Sequence, residues 1–506
     1  MAGSSSVRIR GYLRMGRLLG LAMCFALLAS AAFAGEPGVP LDSWVYRELD
    51  RLRAAGLLES GTAGFRPRSR AEITRLLHEA RRLSAEKKET RFEAGLARLE
   101  REFATELDDD AAARDIGWYF RPIEKVRLSY AWLDDGGDVQ NDRGREYREG
   151  SGPRLSISSR FAWGPFSGFL QWEGRHLEGD EDALDPREQD DLTAGRVEEG
   201  YLRVSLGKWY LEAGRESVWW GPARHGSLLL SDNARPFDLV RFGNDEPFLL
   251  PGPLSRLGPV SFEAFLPRLE EDRAVAEPFL AGARLAISPF PWLELGASRT
   301  LMIGGEDRPI TWTTFRDAIT SHDENTPDGA GNQLASVDWR LTVPWSVQPF
   351  EIYGEFGGED EAGGIFSRFA YIAGIYLPRL GPSALFDLRV EFANTYSDGH
   401  GGVEQFWYTH GVYTSGYTYE GRIIGHHAGT DARDLYAELG VYPAPGLRLW
   451  AACDWEERVV SLDEPELRTE YGLGVEWTPH ERLTLEAAFV HEAVEDALVP
   501  ENPEEG

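Results

Sequence analysis

From about Trp118 onward, apolar and polar positions alternate with a period of two. Leu155 and Ile157 alternate with Ser156 and Ser158. Phe279, Ala281, Ala283, Leu285 and Ile287 alternate with Leu280, Gly282, Arg284, Ala286 and Ser288. The same pattern returns over Phe386–Ala393, Leu435–Tyr442 and Arg482–Phe489. Successive side chains on a strand point to opposite faces, so each segment predicts a strand with one apolar and one polar face. A soluble sandwich and a membrane barrel share this period, and connectivity separates them. Short proline-rich turns, such as Ser288–Trp292, Tyr442–Gly446 and Thr478–Glu481, alternate with long polar connections over 134–150, 177–195, 304–333, 397–434 and 456–468. Short turns at one rim and long loops at the other predict an all-β transmembrane barrel of roughly 16 to 18 antiparallel strands. Trp163, Trp209, Trp292, Trp345, Trp450, Trp455 and Trp477 fall near strand ends, as interfacial girdles do. The polar face, carrying Glu263, Arg284, Glu294, Arg299, Arg340, Glu351, Glu355, Arg389, Glu391, Glu438 and Arg448, is assigned to the lumen. Its mixed signs suit a hydrogen-bonded plug better than an ion-selective pore.

Residues 41–110 follow a helical period instead. Val45, Leu49 and Leu52 form one stripe that ends at Gly56. Ile73, Leu76, Leu77 and Ala80 form a second after a Ser69…Glu72 capping box, and Phe92, Leu96, Leu99 and Phe103 form a third. Three short helices make a thin core alone, so they are expected to dock on something larger. Ahead of them, Arg8, Arg10, Arg14 and Arg17 precede an apolar run, Leu18–Ala34, that closes on Ala32-Phe33-Ala34. This is the layout of a secretory signal peptide with cleavage after Ala34. The expected division is therefore 1–34 signal peptide, 35–112 helical domain, 113–492 barrel and 493–506 acidic tail. A terminal aromatic, common at the end of outer-membrane barrels, is replaced here by Val499–Gly506.

Charge narrows the partners. Removing the leader leaves 49 Lys+Arg against 83 Asp+Glu, a net of 49 − 83 = −34. That balance excludes nucleic acid and a simple electrostatic trap for polyanions. Only Cys453 lies beyond the leader, so no intramolecular disulfide is expected. No nucleophile elbow, paired-histidine helix or phosphate loop occurs in its structural context, so an enzyme is not expected.

The stretch richest in candidate chemistry is Gly214–Phe237, GRESVWWGPARHGSLLLSDNARPF, with Trp219, Trp220, Arg224, His225, Asn233 and Arg235. A second, Tyr417–Asp434, carries Tyr417, Tyr419, Arg422, His426, His427 and Asp431. Flat aromatic faces suit sugar C–H surfaces, and Arg or Asn adds geometry-specific hydrogen bonds. The same tryptophans could equally pack inside a barrel. His426, His427 and Asp431 could hold a metal, but neighbouring histidines on a strand point apart, so none is expected. The acidic runs Gly179–Asp182 and Gly357–Glu361 read as solvated loop tips, without calcium-loop spacing.

The order WWGP…SLLLSDNARPF, followed by YTYEGRIIGHHAGTDARD, resembles the capsule-assembly Wzi family. That resemblance implies an 18-stranded outer-membrane barrel that attaches capsular or other surface polysaccharide to the cell as a lectin-like binder, without a cofactor. Its partners would be the polysaccharide and outer-membrane lipid and lipopolysaccharide, the helical domain would face the periplasm, and the protein would act as a monomer. On this reading Trp219, Trp220, Arg224, His225, Asn233, Arg235, Tyr417, Arg422, His426, His427 and Asp431 are the candidate polysaccharide contacts. Trp44–Tyr46, Phe65–Pro67 and Ser69–Glu72 also resemble one partial S-layer-homology module, which would make Arg70 a contact to a peptidoglycan-linked polymer. Two other functions remain open: an oligosaccharide diffusion channel, and a barrel tethered to the cell wall through its helices.

Overall fold

The computed structural model describes residues 35–107, 118–134, 137–147, 150–175, 195–313, 316, 331–359, 369–396, 407–460, 465–480 and 482–495. The expected leader, the acidic run at Gly179–Asp182, Asp360 and Glu361, and residues 496–506 of the expected tail lie outside them.

The alternating segments form strands. Eighteen, counting the two-residue Phe248–Leu249, belong to one barrel. Antiparallel pairing follows the chain, from Trp118–Leu133 against Gly150–Trp163 to Glu466–His480 against Leu483–Glu495. The side-chain period sets the two faces. On Phe279–Phe290, Leu280, Gly282, Arg284 and Ala286 are buried inward, while Ala283 and Leu285 are exposed outward. On the paired strands, Val337, Trp339, Leu295 and Ala297 continue the outer face. Leu285, Val337, Val240 and Leu473 are each about half exposed although apolar. An apolar belt of this kind belongs in lipid, where the strand ladders satisfy the backbone internally. Trp118, Trp163, Trp292, Trp345 and Trp477, all exposed, flank the short-turn rim as an aromatic girdle. No helix among the described residues is long and apolar enough to cross a membrane.

One inward assignment needs correction. Arg299 shares the face of Leu295 and Ala297 and stands outward, where it meets Gln333. It sits towards the long-loop end of its strand, where a polar outward residue no longer faces hydrocarbon.

Ahead of the barrel, α1 (Trp44–Ala54), α2 (Arg70–Lys87) and α3 (Glu93–Glu102) lead into the one-turn α4 (Ala104–Leu107). The three apolar stripes meet in a core of their own, with Leu52, Ile73, Leu76, Leu99 and Phe103 essentially unexposed. Ser69 caps α2 by accepting from the Glu72 N–H at 3.2 Å. Glu72 pairs instead with Arg68, so only half of the capping box is made.

The helices dock on the short-turn rim. Arg47 pairs with Glu476 at 2.5 Å, Arg98 donates to Thr478 Oγ1 at 2.9 Å, and Arg51 donates to the Ala384 carbonyl at 3.0 Å. Between α1 and α2 the chain enters the lumen. The Ala63 and Gly64 N–H groups donate to Glu294 at 2.7 and 3.1 Å. A Cβ on Gly64 would lie 2.2 Å from an Arg284 guanidinium nitrogen, so a side chain here would have to displace the buried Arg284 head from its place beside Asp338. Phe65–Arg66 then pairs antiparallel with Trp219–Trp220.

Because Leu285 points into the lipid belt near the middle of its strand, Leu285→Lys is expected to cost roughly 2–4 kcal/mol. Equilibrium unfolding in lipid bilayers checks this, and the barrel should otherwise assemble normally.

Candidate functional site

Gly214 sits within the strand Trp209–Glu216 with φ 147°, at a point where a Cβ would meet the Gly200 carbonyl oxygen at 2.3 Å, and the strand ends at Glu216. Beyond it the chain runs as a buried loop, and a buried loop must find partners for its backbone. Lumen-facing carboxylates supply them. Glu391 accepts from the Arg224 and His225 N–H groups at 3.0 and 2.8 Å, and Glu355 accepts from Leu228 N–H at 3.1 Å. Leu228, Leu229 and Leu230 are fully buried in one core with Trp220, Trp407, Tyr408, Tyr417 and Ile424. Tyr408 joins the two sequence blocks: its hydroxyl donates to the Leu228 carbonyl and accepts from His426 N–H, both at 2.7 Å. Ser231 N–H reaches the Ile424 carbonyl at 3.1 Å, and the Asn233 amide donates to the Ile423 carbonyl at 3.0 Å.

Most of the residues expected to contact sugar are therefore inside. Trp219 lies against the Arg66 guanidinium, and Trp220 donates its indole N–H to Glu263 at 2.7 Å beside Phe265. Tyr417 stacks on Tyr408 and donates to Thr300 Oγ1 at 3.1 Å. Arg224 donates to Asp50 Oδ2 at 2.6 Å. Asn233, His426, His427 and Asp431 are buried, Asp431 with φ 53°. Arg235 and Arg422 are only half-buried: Arg235 pairs with Glu420 at 2.8 Å, and Arg422 lies in the small hairpin of Thr418–Tyr419 with Arg422–Ile423. Arg70, the expected wall contact, is buried against Phe103 with Glu106 at 2.5 Å and Glu102 at 3.3 Å.

The two adjacent histidines behave differently from the strand expectation. They lie on a loop rather than a strand, so their rings stack 4.4 Å apart and turn the same way. His427 Nε2 is 3.0 Å from Asp434 and 3.1 Å from Glu456. His225 Nε2 is 3.1 Å from Asp454 and 3.4 Å from Asp434, and its ring stacks on Tyr436. Burial alone lowers an imidazole's basicity, but Asp434 and Asp454 carry His225 well above its ordinary value. His426 goes the other way, to about 3, through burial and the neighbouring His427. Asp50 is held well below the carboxylate range: burial opposes this, and Arg224, Arg66 and Arg389 prevail.

Several residues of this assembly escaped sequence reading: Asp50, Asp434, Asp454 and Glu456; Tyr408 is legible only as part of the aromatic cluster Glu404–Tyr408 ahead of the second block. Inward parity had already marked Glu355 and Glu391. For the others a carboxylate in so acidic a chain carries no signal by itself.

Glu391→Leu removes the acceptor of two loop N–H groups and the partner of Tyr353 and Arg389. It is expected to cost about 3–5 kcal/mol, since it leaves buried polar groups unpaired. Urea unfolding and faster protease cleavage within 216–236 check it.

Comparison with known proteins places this assembly. The family model described as "Capsule assembly protein Wzi" matches residues 133–495. An uncharacterized 55.8 kDa protein in the cps region of Klebsiella pneumoniae is 34% identical over 180 residues. That alignment covers 35% of this chain and spans only 35% of the relative's length. Among solved structures, Wzi of Escherichia coli is described as an outer-membrane protein involved in group 1 capsule assembly and a carbohydrate-binding β-barrel. It matches with a TM-score of 0.68 at 20% identity, covering 92% of this chain and 96% of that one. With the family model spanning most of the barrel, the chain belongs to the capsule assembly protein Wzi family.

Proposed function

We propose that this protein is an outer-membrane, lectin-like barrel that attaches capsular or other surface polysaccharide to the cell, with its helical domain in the periplasm. The observation that carries the reading is the filled lumen. Loops from the long-loop rim and the strap between α1 and α2, which carries Ala63–Arg66 into the lumen, meet inside it and join its polar groups in mutual pairs. Such an interior favours a binder over the diffusion-channel alternative, because it leaves the rim rather than the bore to meet a polymer. The E. coli family member's description as a carbohydrate-binding β-barrel supports the same reading.

In this mechanism the buried members of the two blocks act as a base. Trp219, Trp220, Asn233, Tyr417, His426, His427 and Asp431 hold the loops in shape, and Arg235 and Arg422 remain at the rim to meet sugar hydroxyls and acids. Arginine's planar fork gives such contacts directional hydrogen bonds. Each contact is weak, and many copies retain a long polymer by avidity. Each monomer acts alone. Arg70, engaged by Glu106 and Glu102, serves the helical fold rather than a wall polymer.

The test is the division of surface polysaccharide between cells and medium. Gene deletion is expected to shed polymer at unchanged total output, and Arg235→Ala with Arg422→Ala to shed a substantial part at unchanged barrel abundance. Polymer that stays cell-bound after deletion overturns the attachment reading.

A further inference from the structure

In the lumen, almost every buried carboxylate faces a guanidinium. Asp338 pairs with Arg284 at 2.6 Å, Glu351 with Arg340 at 3.1 Å, Glu212 with Arg241 at 3.0 Å, and Asp50 with Arg224 at 2.6 Å. Asp434 and Asp454 break the rule. Their ion-pair partners among the described residues are imidazoles alone: His225, His426 and His427. With neutral histidines this corner is two positive charges short, and buried carboxylates do not stay uncompensated. Two protons or one divalent cation would close the deficit.

We propose that His225 Nε2, His427 Nε2, Asp434 and Asp454 bind one divalent transition-metal ion of the zinc class. Their ligand atoms all lie within 4.8 Å of one another. Zinc bonds of about 2.0–2.2 Å place neighbouring tetrahedral ligands roughly 3.3–3.6 Å apart. Three of the six separations, at 3.0, 3.1 and 3.4 Å, lie at or just below such edges, and metal binding would draw the more distant ligand atoms, all within 4.8 Å, inward to the same range. The donor set, two imidazoles and two carboxylates, suits zinc and not the hard all-oxygen cations.

A second observation points into the same space. His427 Nε2 and Asp434 Oδ2 lie 3.0 Å apart, their side chains 1% and 2% exposed, yet neither atom makes an aligned hydrogen bond. Asp454 Oδ1 is likewise buried without a partner. Buried polar atoms without aligned partners call for a ligand, and these converge on one space.

The surroundings provide an outer layer. Glu456 approaches His427 at 3.1 Å while paired with Arg458 at 2.8 Å. A metal on Nε2 puts the His427 proton on Nδ1, which faces the Asn141 side chain at 3.2 Å. The Asn141 carboxamide oxygen is buried and unpaired. In the present geometry it is the amide nitrogen that faces Nδ1 and donates to the His225 carbonyl at 2.6 Å, so metal binding requires the Asn141 side chain to reorient away from that carbonyl. Asp434 and Asp454 stand on neighbouring wall strands, whereas His225 and His427 belong to the two long loops. The ion would thus fasten both loops to the barrel, whether or not the rim binds polysaccharide.

The experiment uses tag-free, detergent-purified full chain, stripped with chelator, titrated with Zn²⁺ or Co²⁺ and then desalted. The expected result is about one tightly held equivalent per chain, a rise in thermal stability, and the intense visible bands of four-coordinate Co²⁺. His427→Ala and Asp454→Asn should each weaken retention roughly tenfold or more, and His480→Ala, outside the cluster, should not. Should both ligand variants misassemble, the Co²⁺ spectrum of the unaltered chain decides alone. Absence of saturable binding, retention unaffected by assembled ligand variants, or a six-coordinate Co²⁺ spectrum overturns the proposal and leaves the cluster holding protons.

Discussion

The buried guanidinium–carboxylate pair is the interaction on which this molecule depends, and Asp50 shows why. It projects from α1 at the short-turn rim, yet it meets Arg224 of the loop after Glu216 at 2.6 Å, Arg389 of a wall strand at 3.3 Å and Arg66 of the strap at 4.0 Å. Helical domain, loop, strap and wall thus converge on one carboxylate. An ion buried without such partners would cost several kcal/mol, so each component is stable only in the presence of the others. Pairs of this kind are weak evidence for net stability, but they are strict about geometry, because removing one partner leaves the other stranded.

That strictness explains how a barrel of this width can be filled by irregular chain. A loop inside a lumen has no ladder for its backbone, and here Glu294, Glu355 and Glu391 take the N–H groups that a ladder would otherwise use. Leu228–Leu230 and the aromatic cluster around Tyr408 then exclude water from the centre. Filling from both ends makes the interior a scaffold and leaves recognition to the rim, which is why the polysaccharide-attachment reading assigns contact to Arg235 and Arg422 and support to the tryptophans.

The barrel was legible in the sequence because lipid outside and polar groups inside impose a period of two on most strands, though Phe369–Leu377 is apolar on both faces. The helices were legible because each buries one stripe, as Leu49 and Leu52 or Leu96 and Leu99 show. The polar lining of the lumen was legible but its pairing was not, since the partners lie far apart in the chain: nothing local joins Asp50 to Arg224, or His225 to Asp454. Arg299 was misplaced because alternation loses its meaning towards a rim, where an outward residue is free to be polar. Trp219 and Trp220 remained ambiguous because a flat ring suits a sugar face and a packed core equally well. His426 and His427 were read with strand parity, which a loop does not obey.

Conductance across planar bilayers tests the central claim, that chain from both rims fills the bore. The purified, inserted barrel is expected to carry no steady ion current, whereas Asp50→Ala, which unties strap, loop and wall at once, should produce fluctuating openings. A stable, porin-like conductance from the unaltered protein would contradict it.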